Sequence, residues 1–277
     1  MQSTYPDLGS HFPLLFDTHC HLDVSRFPEG ADAVLKRARA AGVRAVVDVG
    51  VGGNERSLAA VELARQRSDV LASVGIDPHE AGSCDSERWN LVESLAVEPE
   101  VVAIGETGLD YFYHHSPQAL QRQAFARQIA LARSTRKPLI IHTRQAAVDT
   151  IEILTAERAE DVGGVFHCFT ADTALARAAL NLGFMVSFSG ILTFDSDACL
   201  AEAARFVPND QLVVETDSPY LSPVPVRKLR PCEPAFVAHT ATYLAKLRGT
   251  PFDEFCAFTT ANACRLFRVA LDKFECE

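Results

Sequence analysis

The stretch PLIIHTRQAAVDTIEILT, residues 138–155, places a strand pattern directly before a helix pattern. Leu139 to His142 is a short apolar run, and the amphipathic segment Gln145 to Thr155 follows it. A second apolar run, Gly164 to His167, comes after that segment. Because a helix-length connection can cross over between two parallel strands, these residues predict a β-α-β unit.

The same unit recurs along the 277 residues of the chain. Eight apolar or β-branched runs predict strands: Leu14–Asp17, Val43–Val49, Val70–Val74, Val101–Glu106, Leu139–His142, Gly164–His167, Phe184–Phe188 and Leu212–Asp217. Amphipathic patterns between them predict helices: Glu29–Ala41, Glu55–Arg67, Ser86–Ala96, Ser116–Arg133, Gln145–Thr155 and Thr173–Leu180, with a terminal helical segment around Pro251–Phe267. No linker interrupts the series. We therefore expect residues 1–277 to form one α/β domain, a single (β/α)8 TIM-type barrel, with an open doubly wound sheet as the alternative.

Composition narrows the class of protein. The hydrophobic content of 48% excludes a disordered chain. No apolar stretch reaches the roughly twenty residues that span a bilayer, and Met1 to Ser10 lacks the pattern of a signal peptide, so we expect a soluble, cytoplasmic protein without membrane contact. The eight cysteines include no CxxC pair, which favours reduced thiols and no structural disulfide.

The charge distribution constrains the partners. A formal net charge of −10 argues against a protein that coats nucleic acid through bulk electrostatics, so a phosphate substrate needs local cations. The densest basic cluster is VRKLR, residues 226–230, just after the eighth predicted strand. Such a run is most often a solvated loop, but its position predicts a basic mouth on an acidic protein.

Polar residues stand where the predicted strands end, which is where barrels of this class build their active sites. In DTHCHLD, residues 17–23, His19 and His21 share one face if the segment is extended. A single polar residue at a strand end is commonly a helix cap or a solvated group. Six such residues at the ends of neighbouring strands would converge on one rim of the barrel and therefore predict a metal site. The candidate ligands are His19, His21, Glu106, His142, His167 and Asp217.

The donor set indicates the chemistry. Four imidazoles and two carboxylates suit Zn, Mn, Fe or Ni, with Mg less natural beside so much nitrogen. The number of ligands exceeds what one ion needs, so we expect two divalent ions roughly 3.5–4 Å apart, bridged by Glu106, which activate water for attack. Asp217 is expected to coordinate, to take the water proton, or both. Glu106 and Asp217 are therefore the predicted catalytic residues.

The motifs, taken in order, resemble those of the TatD-type metal-dependent hydrolases, a branch of the amidohydrolase-like barrels. The matching stretches are FDTHCHLD, VGIDPHE, GETGLDYF with the following SPQALQRQAFARQIALA, PLIIHTR, FHCFT, SFSGILTF, ETDSPYL and EPAFV. The resemblance implies a (β/α)8 barrel, a metal centre at the same six residues, and divalent-metal-dependent hydrolysis of DNA phosphodiesters, often from 3′ to 5′. It also implies that Glu106 replaces the carboxylated lysine that bridges the ions in the wider superfamily.

Three positions depart from the pattern that the resemblance implies. Asp77 stands where family members usually have the first histidine of His-Pro-His, Gln145 where an aspartate usually follows the arginine, and Cys232 where an asparagine commonly precedes Glu-Pro. None is a metal position in the pattern. The departures bear on the substrate pocket, where His79 and Arg144 are expected to meet the scissile group or its flanks.

Side chains near the ligand motifs are candidates for substrate contacts. Arg144 can bind a phosphate oxygen or, equally, form a salt bridge to a carboxylate such as Asp110. Aromatic residues beside the ligands can stack on unpaired bases or pack between loops: Tyr111, Phe112, Tyr113 and Tyr220, with packing favoured for Phe112. His114 and His115 are expected to be solvent-exposed or adjacent to the substrate, with no metal role. His239 is expected to be structural, and His11 carries no signal.

Three hypotheses follow. The leading one is a two-metal nuclease acting on single-stranded DNA ends, without an obligate protein partner. A second is a metal-dependent esterase or amidase, such as a deacylase of mischarged aminoacyl-tRNA, because a metal pair also polarises carbonyls. The third is a closed structural metal site or binding module, although such sites are usually four-coordinate and local in sequence.

Overall fold

Eight strands form one sheet in chain order in the computed structural model, which describes residues 14–22, 25–194, 198–270 and 274. The strands are β1 Leu15–Cys20, β2 Val43–Gly50, β3 Val70–Val74, β4 Val101–Asp110, β5 Leu139–Arg144, β6 Gly164–Phe166, β7 Phe184–Phe188 and β8 Leu212–Val214. Pairing is parallel from β3 to β6 and between β7 and β8. A parallel bridge from Cys20 to Ser218 brings β1 beside the segment that follows β8. The (β/α)8 barrel is confirmed, and the open sheet is wrong.

Helices alternate with these strands. They are α1 Ala31–Ala40, α2 Asn54–Gln66, α3 Ser86–Leu95, α4 Gln118–Thr135, α5 Ala147–Ala156, α6 Thr173–Asn181, α7 Ala198–Phe206, α8 Val237–Arg248 and α9 Phe252–Phe267. Each helix predicted from the sequence is present, with its bounds shifted by a few residues. The last helix, α9, is the predicted terminal segment.

Strand β4 is longer than predicted, because it continues past Glu106 to Asp110. Its glycines permit the extension. Gly108 has a φ of 133° and lies opposite His142 in the register with β5, and a Cβ at this position would stand 2.0 Å from the His142 carbonyl oxygen. Only glycine allows the two backbones to approach this closely. The end of β4 is thereby held against β5.

Two buried glutamines of α4 satisfy backbone groups around β4. The Gln128 amide nitrogen donates to the Ile76 carbonyl (2.8 Å) and the Thr107 hydroxyl (2.7 Å). The Gln121 oxygen accepts from the Asp110 N–H (2.8 Å), while its amide nitrogen donates to the Asp110 carbonyl (3.0 Å). Buried backbone groups need such partners. The helix therefore fixes the strand end as well as covering it.

The chain divides into two compact units. Unit 1 consists of the described residues of Met1–Val47, Cys168–Ala176 and Val186–Glu277, and unit 2 of Asp48–His167 and Arg177–Met185. In the core of unit 1, the Phe16 ring lies 5.8 Å from the rings of Phe267 and Phe274. In unit 2, Arg88 is buried and donates to Glu80 at 3.0 Å. The organisation as a single domain stays a prediction.

Some predictions concern residues outside the described ranges, namely His11, Asp23 and Cys276. The seven cysteines inside those ranges are all free thiols. Within the same ranges, no helix combines the length and the apolar character that crossing a bilayer requires.

Replacing Gly108 by alanine should destabilise the fold strongly, because the new methyl group would collide with the β5 backbone. Gly53 is a matched control, since it has a similar φ of 123° but a Cβ added there would meet nothing within 4 Å. We expect a loss of about 3 kcal/mol or more in the free energy of unfolding for Gly108→Ala, and about 1–2 kcal/mol for Gly53→Ala, from backbone strain alone. Urea denaturation measures both; equal losses would contradict the close approach of β4 and β5.

Candidate metal centre

Three predicted ligands meet in unit 1. His19 lies in β1 and is fully buried, and His21 follows the strand on the same face, as the alternation predicted. Their Nε2 atoms are 3.3 Å apart, and each lies 3.8 Å from Asp217 Oδ1. Backbone hydrogen bonds hold the two segments together: the Asp217 N–H donates to the His19 carbonyl, and the His21 N–H to that of Ser218.

The fully buried Asp17 ties β1 to the segment after β8. Its carboxylate accepts from the Thr216 N–H at 2.8 Å and from the Thr216 hydroxyl at 2.6 Å. Burial raises the pKa of Asp17 to about 8, although the Thr216 hydrogen bonds oppose the shift. The contact sits two residues before His19 and one residue before Asp217. It therefore positions both chain segments that carry the ligands of unit 1.

Three further predicted ligands meet in unit 2. Glu106 Oε1 lies 2.8 Å from His142 Nδ1 and 3.0 Å from His167 Nε2, and these two nitrogens are 3.3 Å apart. Glu106 is buried, which raises its pKa, but the two imidazoles outweigh burial and hold the pKa of this carboxyl well below its ordinary value. Glu106 is therefore a carboxylate at neutral pH.

Asp110 orients His142 from the opposite side of the ring. Its buried Oδ2 lies 3.0 Å from His142 Nε2. Burial raises the pKa of Asp110, but the hydrogen bonds from His142 and from the loop backbone lower it to about 2. An unprotonated carboxylate can only accept, so Nε2 carries the hydrogen and Nδ1 faces Glu106 and His167. A carboxylate behind a histidine in this way is the usual support of a metal ligand.

This role of Asp110 was not predicted from the sequence, where Asp110 was considered only as a salt-bridge partner. The reason is the predicted end of β4 at Glu106. Once the strand is known to reach Asp110, the even spacing from Glu106 puts both carboxylates on one face, a signal that the motif GETGLD already contains.

The predicted substrate contact His79 lies beside this cluster. Its Nε2 is 3.8 Å from Asp110 Oδ2, and its ring centroid is 5.8 Å from that of His142. Asp77, one of the three departures, shapes the turn that carries His79, because its carboxylate accepts from the His79 N–H (2.6 Å) and the Glu80 N–H (3.0 Å). The aspartate at this position therefore stabilises the turn that carries His79.

Arg144 does not form the salt bridge to Asp110 that was one of its two predicted roles. Its guanidinium carbon instead lies 4.1 Å from the centroid of the Phe112 ring and 4.6 Å from that of Tyr113. Phe112, for which packing between loops was favoured, is 44% exposed. The Tyr111 hydroxyl donates to Asp149 at 2.6 Å. Substrate contacts by His79, Arg144 and Tyr111 stay predictions.

The other departures and the remaining candidates lie as follows. Gln145 is exposed with a φ of 53°, and Cys232 is buried, with its N–H donating to the Pro219 carbonyl. His114 and His115 are exposed and His239 is buried in α8, as expected. In the basic segment 226–230, the Arg227 guanidinium lies 3.9 Å from the Phe194 ring centroid, and the basic mouth stays a prediction.

Both clusters fit a divalent cation. In each, imidazole nitrogens and carboxylate oxygens converge, and the ligand atoms of His19, His21 and Asp217 all lie within 4.8 Å of one another. The donors are those that first-row transition metals prefer. Removal of the proton from His142 Nδ1 would free a lone pair toward Glu106 and His167, so the residues of unit 2 fit an ion as well.

Comparison with known proteins points to one family. Residues 16–268 match the family described as TatD related DNase. The chain is 41% identical to the uncharacterized metal-dependent hydrolase YcfH of Escherichia coli, over 94% of this chain and 98% of that protein. It is 35% identical to the 3′-5′ ssDNA/RNA exonuclease TatD of Erwinia tasmaniensis, over 92% and 100%. The crystal structure of YJJV, a TatD homolog from Escherichia coli, has a TM-score of 0.86 at 26% identity and covers 92% of this chain and 98% of that chain.

Replacing Asp110 by asparagine should weaken metal binding about 10- to 100-fold. The amide oxygen can still accept from the loop, but the NH2 group would face His142 Nε2 and force the ring hydrogen onto Nδ1. Competition with a chromogenic chelator measures the Zn affinity. Asp161→Asn is the control, because Asp161 is a carboxylate that pairs only with arginines on the surface. Wild-type affinity in Asp110→Asn would contradict the orienting role.

Metal uptake at pH 7 should release a proton from His142. Burial lowers the pKa of His142, but Asp110 and Glu106 raise it to about 9, so the metal-free ring is protonated below that pH and an ion must displace the proton. Affinity should therefore rise with pH by about tenfold per unit up to pH 9 for one displaced proton. Calorimetric titration with Zn in two buffers of different ionisation enthalpy measures the release; identical enthalpies would show that no proton leaves.

Proposed function

Because the chain belongs to the TatD related DNase family of metal-dependent hydrolases, we propose that it hydrolyses phosphodiester bonds of DNA, removing nucleotides from the 3′ ends of single strands. The observation that carries the proposal is the donor set: Glu106 buried between His142 and His167, and Asp217 facing His19 and His21. These groups suit an ion that works on phosphate esters. Membership of a family of hydrolases argues against the third hypothesis, a closed structural metal site or binding module.

The six residues of the two clusters are the proposed ligands of two divalent ions, with Mg, Mn and Zn as the candidate metals. They stand within or just beyond the ends of strands that belong to one sheet. In barrels, that is the position of the active site. When bound, the ions polarise a phosphoryl oxygen and lower the pKa of a water molecule.

The protein residues divide the remaining work. Glu106 stays ionised because of its two imidazole neighbours, so its negative charge lies between the proposed ligands His142 and His167. Asp110 keeps His142 Nδ1 directed at Glu106. Asp217 is partly exposed, with 16% of its side chain accessible, and takes the proton of the attacking water on its carboxylate. Arg144 and His79 are the proposed contacts of the scissile group or its flanks, and Tyr111 is a proposed stacking partner of an unpaired base.

The polarity and the preference for single strands are supported by the name of the Erwinia tasmaniensis relative, a 3′-5′ ssDNA/RNA exonuclease. An aminoacyl-tRNA deacylase would use the same metal chemistry on a carbonyl. No feature of the residues that the structure describes favours that substrate. DNA is therefore the proposed partner, and no protein partner is needed for the reaction.

Glu106→Gln and Asp217→Asn should each lower nucleotide release at least about a hundredfold while the fold is retained, because each removes a charge needed for binding metal or moving a proton. The assay is release of mononucleotides from 3′-labelled single-stranded DNA by chelated protein reconstituted with Mn or Mg. Glu93→Gln, at an exposed carboxylate paired with Arg127, is the control. Full activity in either site variant would contradict the mechanism. Release of a 5′ label before a 3′ label would show that the enzyme digests DNA in the opposite direction.

A further inference from the structure

Four aromatic rings in unit 2 continue outward from the metal-ligand candidate His142. The centroids are 5.8 Å apart for His142 and His79, 5.0 Å for His79 and His115, 5.6 Å for His115 and Tyr113, and 4.9 Å for Tyr113 and Phe112. His115 and Tyr113 are stacked, with 10° between their planes. We call His79, His115, Tyr113 and Phe112 the ring ladder.

The outer rings of the ladder face solvent. Tyr113 is 49% exposed and Phe112 is 44% exposed. Phe112 is the one phenylalanine among the exposed large apolar side chains of the described residues. Adjacent exposed rings are unfavourable in water and commonly mark a binding surface.

The ladder is held in place by the residue that orients the metal ligand. Asp110 Oδ1 accepts from the backbone N–H groups of Phe112 (2.9 Å) and Tyr113 (2.8 Å), while Oδ2 bonds to His142. One buried carboxylate therefore fixes the backbone that carries the outer rings relative to His142. A ligand bound on the rings has a defined position with respect to the metal cluster of this unit.

A cation lies on the same surface. The Arg144 guanidinium carbon lies 4.1 Å from the Phe112 ring centroid and 4.6 Å from that of Tyr113, beside the ring surface that stays exposed, and among the described residues no carboxylate pairs with it. In this acidic chain, an arginine without an acidic partner is available for an anion. A similar, shorter arrangement occurs in unit 1, where Tyr220 lies 6.5 Å from the His21 ring and Arg26 lies over Tyr220.

We propose that the ring ladder binds unpaired nucleobases next to the bond that is cleaved, with Arg144 on the adjoining phosphate. Flat faces beside a single cation match a chain in which aromatic bases alternate with phosphates. In a duplex, the faces of internal bases are already stacked and cannot reach the rings. The ladder therefore gives a reason for selecting single strands, and the inference rests on the proposed nuclease function.

The test is a double-mutant cycle between Tyr113 and the bases. Fluorescence anisotropy measures binding of a single-stranded oligonucleotide, and of the same oligonucleotide with abasic sites at its three 3′-terminal positions, to full-length protein carrying Glu106→Gln to prevent cleavage. Tyr113→Leu is added to this background. Tyr243→Leu is the control, because Tyr243 is a 37% exposed aromatic residue of α8 outside the ladder.

We expect Tyr113→Leu to weaken binding of the normal oligonucleotide about tenfold, from the loss of base stacking. On the abasic oligonucleotide, which already lacks the bases, the same substitution should have no further effect, and Tyr243→Leu should change neither affinity. Equal weakening of both oligonucleotides, or no weakening of either, would overturn the proposal. So would a protein that binds no single strand.

Failure of the ladder and failure of the nuclease function give different results. If the cycle shows coupling but wild-type protein with metal releases no nucleotide, the ladder stands and the proposed reaction is wrong. If nucleotides are released but no coupling is found, the reaction stands and the ladder is wrong. Thermal melting of Tyr113→Leu checks that the half-exposed side chain is not required for folding.

Discussion

Asp110 accepts hydrogen bonds on both of its oxygens, from His142 on one side and from the backbone of Phe112 and Tyr113 on the other. Because its pKa is about 2, it remains an acceptor at every physiological pH and fixes which nitrogen of His142 keeps its hydrogen when the ring is neutral. Its own backbone is held by Gln121 from α4. The orientation of the candidate ligand His142 and the path of the loop after β4 therefore depend on a single buried carboxylate.

Two buried carboxylates on either side of one imidazole require a positive charge. Glu106 and Asp110 both lie within 3.0 Å of nitrogens of His142, and the burial of unpaired charges would be strongly unfavourable. In the metal-free protein, the proton on His142 supplies this charge, which is why its pKa is raised to about 9. A divalent ion can replace that proton without any change in the carboxylates. At this candidate site, metal binding would therefore exchange an ion for a proton.

The sequence predicted the fold, and it singled out the residues that meet in the two clusters, because both follow from local patterns. Alternation of apolar runs with amphipathic segments indicated the barrel, and the parity of His19 and His21 placed them on one face. The extension of β4 was not predicted, because it depends on the register in which Gly108 lies opposite His142, a contact between distant residues. The same extension positions Asp110 and pairs it with Arg144 in the neighbouring strand β5. The stacking of Arg144 on two rings could not be read from residue spacing for this reason.

An acidic protein can act on nucleic acid if the attraction between the two is confined to the candidate metal centre. The net charge of −10 opposes general adhesion to nucleic acid, while the proposed metal ions and Arg144, which pairs with no carboxylate among the described residues, would provide local positive charge. Base stacking on the aromatic rings would add affinity that does not depend on phosphates, and only for bases whose faces are free. A duplex would meet the repulsion of the surface without gaining the stacking. The proposed selectivity for single strands then requires both the acidic exterior and the aromatic rings beside the candidate metal ligands, since neither feature alone would discriminate.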